Sequence, residues 1–192
     1  MTSDKISAAV LAGGFSSRMG RDKAALRLGE TMLIELQTEK LKLLGIPDIM
    51  LSGWTAALPG TRLIPDIYPH RGPLSGLHAC LKAAKHKACL IVSVDLPLIP
   101  RETLSELIEV HGGGITALRH GERLEPLAAV YNCELFRTAE ELLFSERRAA
   151  MRLLDRCPVR ELLYQGDESL LVNCNTPEDF ERIEARWKAG IF

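Results

Sequence analysis

A glycine-rich loop with basic side chains, residues 13–23, is the first segment of the sequence with the residue types for phosphate chemistry. Gly13 and Gly14 have no Cβ, so their backbone N–H groups can approach an anion closely. Arg18 and Lys23 add positive charge along the same loop. Because an apolar run precedes it, the loop has the position at which α/β proteins bind phosphates. A solvated turn is the alternative.

Two common phosphate loops do not fit this segment. A Walker A loop ends in Gly-Lys-Ser/Thr, whereas Gly20 is followed by Arg21. A dinucleotide fingerprint requires G-x-G-x-x-G, which Gly13-Gly14-Phe15 does not give. A P-loop kinase is therefore disfavoured, and any phosphate site here is of another type.

Asp95 is the second residue that could do chemistry. It follows residues 88–94, the clearest buried-strand pattern in the chain. A carboxylate at the end of a central strand is costly unless it is paired or bound to a metal. Hard oxygen ligands suit Mg²⁺, which bridges to substrate phosphates. The alternative is that Asp95 caps its own turn or the next helix.

A loop rich in proline and glycine, residues 65–73, carries Asp66. Leucines at steps of three and four predict an amphipathic helix from Leu74 to about residue 85, with Pro73 at its start. Gly76 costs this helix about 1 kcal/mol relative to alanine, and the close approach of backbone or ligand would explain that cost, as would ordinary packing.

The remaining elements must position these residues. Strands are predicted at residues 6–12, 48–52, 62–64, 88–94 and 159–164, an extended piece at 24–28, and an antiparallel pair at 115–118 and 126–131. Helices are predicted after an N-cap at Thr31, from Cys133 with Asn132 as cap, and around Met151. A strand-to-helix junction is predicted at residues 170–179, with Thr176 as N-cap and Pro177 at N1. Asn173 and Asn175 could contact a ligand or hold the turn, and a mainly structural role is favoured.

The repeated strand–loop–helix succession predicts an α/β fold of three layers, α/β/α, with a mostly parallel, Rossmann-like sheet. Ligands of such sheets bind beyond the carboxyl ends of the strands. The loop 13–23, Ser52, Asp66, residues 72–76 and Asp95 all follow predicted strands, so we expect them to meet at one edge.

Composition and charge exclude several classes of function. The 192 residues, 46% hydrophobic and 26% charged, suit one domain covering residues 1–192. A net charge of −1 gives no field that would recruit nucleic acid or anionic membrane. No apolar run or signal-peptide pattern indicates a membrane segment or export. Five scattered cysteines indicate neither a disulfide framework nor a zinc site, so we expect a cytoplasmic protein.

The string L-A-G-G-x-S-x-R-M-G-x-D-K at residues 11–23 resembles the signature of the molybdenum cofactor guanylyltransferases. Four further segments resemble that family in the same order: Asp66 with residues 72–77, residues 94–97, residues 125–127 and residues 173–179. The Asp22-Lys23 pair and the terminal N-x-N-T-P-E-D are more similar to the guanylyltransferase branch than to the cytidylyltransferases. The resemblance implies the nucleotide-diphospho-sugar transferase type of sheet.

The resemblance also implies a reaction: GMP is transferred from GTP to molybdenum-molybdopterin, with release of pyrophosphate, in the presence of Mg²⁺. It implies that Lys23 holds phosphates, that Asp95 coordinates the metal, and that the nucleotide is contacted by Leu11, Ala12, Gly13 and Asp66. Arg18 is an added candidate for phosphate contact, since its planar fork suits phosphate oxygens. Family members often carry Asn where this chain has Ser52, which we keep as a nucleotide contact.

Two other functions remain open at this point. A related nucleotidyltransferase would use CTP or a sugar phosphate, and a non-catalytic GTP-binding cofactor chaperone would keep the fold without turnover. The resemblance further implies molybdenum-insertion and molybdoenzyme-maturation proteins as partners, and we expect a monomer or weak oligomer.

Overall fold

A computed structural model describes residues 1–13, 23–145 and 149–191 of the chain. Its strands are β1 (Ser7–Leu11), β2 (Arg27–Leu28), β3 (Thr31–Met32), β4 (Asp48–Ser52), β5 (Thr61–Ile64), β6 (Ala88–Ser93), β7 (Ile115–His120), β8 (Arg123–Asn132) and β9 (Val159–Leu163). Its α-helices are α1 (Leu33–Leu43), α2 (Pro73–Ala83), α3 (Arg101–Val110), α4 (Phe136–Leu143), α5 (Met151–Arg156) and α6 (Pro177–Lys188). None of these helices combines the length and the apolarity needed to cross a membrane.

Seven of the described strands form one sheet in the order β5-β4-β1-β6-β8-β7-β9, and β2 pairs with β3 as a separate antiparallel ribbon. The pairs β4–β5, β1–β4, β1–β6 and β7–β9 are parallel. Only β8 runs against its neighbours, since it pairs antiparallel with both β6 and β7. The mostly parallel sheet predicted from the sequence is therefore confirmed, with one reversed strand between β6 and β7.

Helices cover both faces of the sheet because the buried strands are apolar on both faces. In β1, Ala8 and Val10 face a core that includes residues of α1, α3 and α6. Ala9 and Leu11 face the opposite core, with residues of α2, α4 and α5. Successive side chains of a strand point to opposite faces, so the unbroken apolar run of β1 contributes to both cores. This arrangement is the predicted three-layer α/β/α fold.

The predicted antiparallel pair is present and longer than expected. β7 and β8 extend the predicted strands into the polar segment, so that the turn shrinks to Gly121 and Glu122. The register shifts between Ala117 and Leu118, which places an irregularity in β8 near Pro126. A proline cannot donate to a strand ladder, so its tolerance at such a bulge is expected.

Several predicted element boundaries are wrong. Thr31 belongs to β3 rather than capping α1, whose N-cap is Met32. The extended piece predicted at residues 24–28 is a 3-10 turn, Lys23–Ala25, followed by the short β2. The strand predicted from residue 170 is a 3-10 turn, Glu168–Leu171, in which the Asp167 side chain accepts from the Ser169 N–H. Local side-chain acceptors of this kind compete with strand pairing.

Asn132 stands at the N-cap position of a 3-10 turn, but its side chain makes no capping hydrogen bond, which corrects the second predicted cap. It ends β8, and its side-chain oxygen lies 3.0 Å from Nε2 of His111. A 3-10 turn, Cys133–Leu135, then separates the strand from α4. Because the Asn132 carboxamide is hydrogen-bonded to His111, it is not available to cap the following turn. By contrast, Thr176 and Pro177 occupy the predicted N-cap and N1 positions of α6.

Candidate functional site

Three neighbouring strands end level with one another at one edge of the sheet. Leu11 is in register with Ser52 of β4 and with Ser93 of β6. The Ala12 N–H donates to the Ser52 carbonyl at 2.8 Å, and the Val94 N–H donates to the Leu11 carbonyl at 3.2 Å. The segments that follow these strands must therefore begin side by side. The expected convergence of Gly13, Ser52 and Asp95 at one edge is confirmed.

Lys23 lies at this edge and is 9% exposed. Its Nζ donates to Oδ1 of Asp95 at 3.0 Å and to Oδ1 of Asn175 at 2.8 Å. The three residues come from a 3-10 turn, from the turn that follows β6 and from the segment just before α6. Two oxygen acceptors around one ammonium offset the cost of removing its charge from water. Lys23 and Asp95 are thus brought together as the sequence suggested.

The main chain of Asp95 is held on both sides. Its N–H donates to Oγ of Ser93 at 3.1 Å, and its carbonyl accepts from the Cys174 N–H at 2.7 Å. Its side chain is 31% exposed. Within the described residues its carboxylate accepts through Oδ1, from Lys23, and does not cap α3, whose N-cap is Pro100. The alternative role of Asp95 as a cap for the next helix is therefore wrong.

The oxygen atoms of this cluster suit a hard divalent cation. Within the described ranges, no group of three or more His, Cys, Asp or Glu side chains could form a metal cage by itself. Mg²⁺ commonly uses one or two protein oxygens, with water and substrate phosphates completing its shell. The Asp95 carboxylate and the Asn175 amide oxygen fit that requirement, whereas they would not satisfy zinc, which prefers nitrogen and sulfur.

A pocket of about 250 Å³ lies beside this cluster. It is lined by Leu11, Gly13, Ser52, Gly53, Asp66, Pro69, His70, Gly72, Pro73 and Gly76. Leu11 connects the pocket to the cluster, because its carbonyl is bonded to the residue before Asp95. Inside the pocket the Ser52 hydroxyl lies 3.2 Å from Oδ1 of Asp66 and donates to it.

Two glycines give this pocket its shape. Gly53 has a φ of 75°, and a Cβ there would lie 2.3 Å from the Gly13 nitrogen. A Cβ on Gly76 of α2 would lie 2.6 Å from Oγ of Ser52. Both positions therefore require glycine for close approach. The predicted cost of Gly76 to its helix is explained by this contact between the first turn of α2 and the end of β4.

The loop that carries Asp66 is fixed to α4 on the far side of the pocket. The Tyr68 hydroxyl donates to Glu140 Oε1 at 2.8 Å, and Arg71 donates to the Leu143 carbonyl at 2.6 Å. The bond from Tyr68 lowers the pKa of Glu140, and the same bond raises the pKa of Tyr68. Asp66 is thus presented by a loop with tertiary anchors rather than by a free surface turn.

The sequence-predicted residues are placed as follows. Leu11, Gly13, Ser52 and Asp66 line the pocket, with Ala12 bonded to the Ser52 carbonyl, and Lys23 and Asp95 form the adjacent cluster. Arg18 lies outside the described residues. The sequence does not predict the bond of Asn175 to Lys23, and the mainly structural role expected for Asn175 stays a prediction. The available signal is the position of Asn175, one residue before the predicted N-cap Thr176 and two residues after Asn173.

Residues 8–167 match the family model described as "MobA-like NTP transferase domain". A protein of Pelotomaculum thermopropionicum named "Probable molybdenum cofactor guanylyltransferase" is 35% identical over 190 residues, covering 92% of this chain and 90% of the relative. The solved molybdopterin-guanine dinucleotide biosynthesis protein A of Archaeoglobus fulgidus superposes with a TM-score of 0.79 at 24% identity, over 95% of this chain and 99% of its own. A Mycobacterium tuberculosis protein solved in complex with manganese has a TM-score of 0.70 at 20% identity, covering 96% and 100% of the two chains.

Proposed function

Because this chain belongs to the family of MobA-like NTP transferase domains, we propose that it transfers GMP from GTP to molybdenum-molybdopterin and releases pyrophosphate. The names of its relatives support this activity. The observation that carries it is the Lys23 ammonium, held 3.0 Å from Asp95 beside a pocket at the carboxyl edge of the sheet. Such a site pairs positive charge with a metal-binding carboxylate where a triphosphate would enter.

The reaction is a displacement at phosphorus. An oxygen of the terminal phosphate of molybdopterin forms a bond to the α-phosphorus of GTP, and the bond from that phosphorus to the bridging oxygen breaks. The electron pair leaves with pyrophosphate. No nucleophilic side chain is needed, so the protein contributes position and charge compensation. Lys23 would hold the phosphates with its ammonium, and Arg18 is proposed to contact them as well.

We assign the metal role to Asp95. Its carboxylate, together with the amide oxygen of Asn175, would hold Mg²⁺, which when bound offsets the negative charge of the phosphates. The bonds to the Asp95 N–H and carbonyl would keep the carboxylate directed toward the site without rearrangement. The chemistry of the two oxygen donors supports Mg²⁺ over a softer metal.

The pocket beside the cluster is assigned to the nucleoside. Leu11, Ala12, Gly13 and Asp66 would contact it, and Ser52 would orient Asp66 through the hydrogen bond between them. Glycines at the wall let backbone groups face the ligand, which suits recognition of a base edge by backbone donors and acceptors. Guanine is favoured over cytosine by the names of the relatives rather than by a side chain of the pocket.

A nucleotide panel tests the activity. Purified protein, Mg²⁺ and molybdenum-molybdopterin are incubated with GTP, CTP or a sugar phosphate with UTP, and both pyrophosphate and the dinucleotide product are measured. We expect product from GTP. Turnover of CTP without turnover of GTP would replace this proposal by the related nucleotidyltransferase. Binding of GTP without pyrophosphate release would favour the cofactor chaperone.

The site assignment is tested by Lys23→Ala and Asp95→Ala. We expect both variants to lose at least about 100-fold in pyrophosphate release, the range seen for preorganised charged groups, while their circular dichroism stays native. Lys42→Met on α1 is the control, since Lys42 pairs with Glu39 on the surface of that helix. Full activity in either site variant would remove that residue from the site.

We further propose that residues 1–192 form one nucleotidyltransferase domain that works in the cytoplasm with molybdenum-insertion and molybdoenzyme-maturation proteins, as a monomer or weak oligomer. Support for one domain comes from the single seven-stranded sheet of the described residues, whose strands extend from β1 to β9. The family match over residues 8–167 covers the same strands.

A further inference from the structure

The segment that carries Asp95, residues 93–99, leaves the sheet and is packed against α1. Beyond Ser93, the last residue of β6, the segment has no strand partner. Its own backbone supplies two hydrogen bonds, from the Leu96 N–H to the Ser93 carbonyl at 3.4 Å and from the Ile99 N–H to the Leu96 carbonyl at 3.2 Å, and further donors come from side chains. Two polar side chains of α1 supply four hydrogen bonds to this segment. The rest of the α1 contact with the protein is apolar and involves residues such as Leu33 and Leu41. The two polar side chains, Gln37 and Lys40, connect α1 to the segment that carries Asp95.

Gln37 is the first of the two and is fully buried. Its Nε2 donates to the Ser93 carbonyl at 3.2 Å and to the Leu96 carbonyl at 2.6 Å. These carbonyls flank Asp95, two residues before it and one residue after it. One amide group therefore fixes the main chain on both sides of the carboxylate. Its own Oε1 has no partner among the described residues, a cost that an apolar side chain would avoid.

Lys40 lies three residues further along the helix and so on the same face. Its Nζ donates to the Pro97 carbonyl at 2.6 Å and to the Ile99 carbonyl at 2.9 Å. Burial lowers the pKa of Lys40 to about 7, and Glu102 acts in the opposite direction. The charged form of Lys40 is therefore destabilised in this position, because its ammonium loses part of its contact with water. Unlike Gln37, Lys40 is partly exposed, so its contribution to this segment is the two hydrogen bonds rather than core packing.

We propose that Gln37 and Lys40 are positioning residues, which clamp the main chain of residues 93–99 and thereby set the direction of the Asp95 carboxylate. The inference rests on the proposed metal role of Asp95. On the other side of this segment, the Cys174 N–H from the chain before α6 donates to the Asp95 carbonyl, and Ser93 Oγ accepts from the Asp95 N–H within the segment. Outer groups that orient a metal ligand commonly affect metal affinity as well as activity.

The test uses Gln37→Met and Lys40→Met, which keep the approximate volume of each side chain and remove the donors. Lys42→Met is the matched control on the same helix. Binding of Mn²⁺ to the protein with GTP is measured by the paramagnetic resonance signal of free Mn²⁺, and kcat and KM for GTP are measured over a range of Mg²⁺. We expect Mn²⁺ affinity to fall about tenfold or more in both clamp variants. KM for GTP should stay within about twofold, and raised Mg²⁺ should restore part of kcat.

The outcomes separate this inference from the proposed function. If Asp95→Asn retains the Mn²⁺ affinity of the unmodified protein, the metal role of Asp95 is lost, and the inference with it. If Asp95→Asn loses Mn²⁺ while folded Gln37→Met and Lys40→Met bind it normally, only the positioning role is overturned. Circular dichroism and thermal unfolding report folding. Failure of both clamp variants to fold would assign the two side chains to the core and would also overturn the inference. Lys40→Arg keeps donors and should recover part of the affinity.

Discussion

At the scale of single residues, the site depends on a charged side chain that is almost removed from water. Lys23 is 9% exposed and donates to one carboxylate and one amide oxygen. Removing one partner of a buried ion pair leaves an uncompensated charge, which is costly. Asp95 and Asn175 therefore hold the Lys23 ammonium in one position, where it is proposed to meet substrate phosphates. Positioning in advance of binding is what a reaction driven by charge compensation requires.

Asn175→Ala tests this arrangement. Loss of a hydrogen bond to a charged group costs about 1.5–3 kcal/mol, so we expect kcat/KM for GTP to fall about tenfold or more. The measurement is the initial rate of pyrophosphate release at saturating Mg²⁺. Glu178→Ala is the control, because Glu178 is an exposed residue in the first turn of α6. Equal effects of the two substitutions would indicate disturbance of the helix start rather than of Lys23.

Gly76→Ala tests the wall of the pocket. The new Cβ would lie 2.6 Å from Ser52 Oγ and would force that hydroxyl away from Asp66. We expect KM for GTP to rise severalfold, with a loss of about 1–3 kcal/mol in the free energy of unfolding. The double variant Ser52→Ala/Gly76→Ala removes the clashing oxygen and should recover part of that stability. No recovery would place the strain at another contact of Gly76.

At the scale of elements, α1 joins the core to the site. Its apolar residues pack on one face of the sheet, while Gln37 and Lys40 bind the segment after β6.

The free-energy cost of placing Lys40 in this position depends on pH. The pKa of Lys40 falls from 10.5 to about 7 on folding because of burial. Between those values the unfolded chain binds more protons than the folded chain, so stability rises with pH through that window.

Lys40→Met should remove this dependence. For the unmodified protein we expect the free energy of unfolding to rise by about 1 kcal/mol more than in the variant between about pH 7 and pH 9, after allowance for partial solvent screening. Urea unfolding at several pH values gives the difference. Lys42→Met should behave like the unmodified protein. Parallel pH profiles for the unmodified protein and Lys40→Met would show that Lys40 keeps an ordinary pKa.

At the scale of the whole molecule, the two cores around the sheet bury the cysteine thiols fully or in part. All five cysteines are free; Cys80, Cys89 and Cys174 are buried, and Cys133 and Cys157 are partly buried. Burial raises the pKa of every one of these thiols, to about 12 for Cys80 and Cys133 and to about 11 for Cys174. Few thiolates therefore exist near neutral pH, and thiolates are the reactive species.

Thiol labelling should therefore report global unfolding. We expect native protein to react slowly with a disulfide reagent, and only at Cys133 and Cys157, while denatured protein reacts at all five cysteines. Mass spectrometry after timed labelling identifies the sites. Cys133→Ser/Cys157→Ser is the control and should leave native protein unlabelled. Rapid labelling of Cys80 or Cys89 in the native state would mean that the core around α2 opens locally.

The sequence by itself determined the features that depend on chain neighbours. The apolar runs of β1 and β6, the leucine spacing of α2 and the cap of α6 at Thr176 follow from local periodicity and capping chemistry, and the structure confirms them. The expectation that strands end at a shared edge follows from parallel topology and is confirmed as well. The proposed contacts of Arg18 and the metal role of Asp95 stay predictions.

Only the tertiary structure decided the contacts between distant residues. Three contacts leave no periodic signal in the chain: the antiparallel pairing of β8 with β6, the bond of Lys23 to Asn175 across 152 residues, and the hydrogen bonds of Gln37 and Lys40 to the segment after β6. The same cause explains the misplaced cap at Asn132, whose side chain binds His111 instead. Polar side chains take whichever partner packing brings within reach, because a buried donor or acceptor without one is costly. The hydrogen-bond partners of these side chains are therefore determined by tertiary packing and not by the neighbouring residues in the sequence.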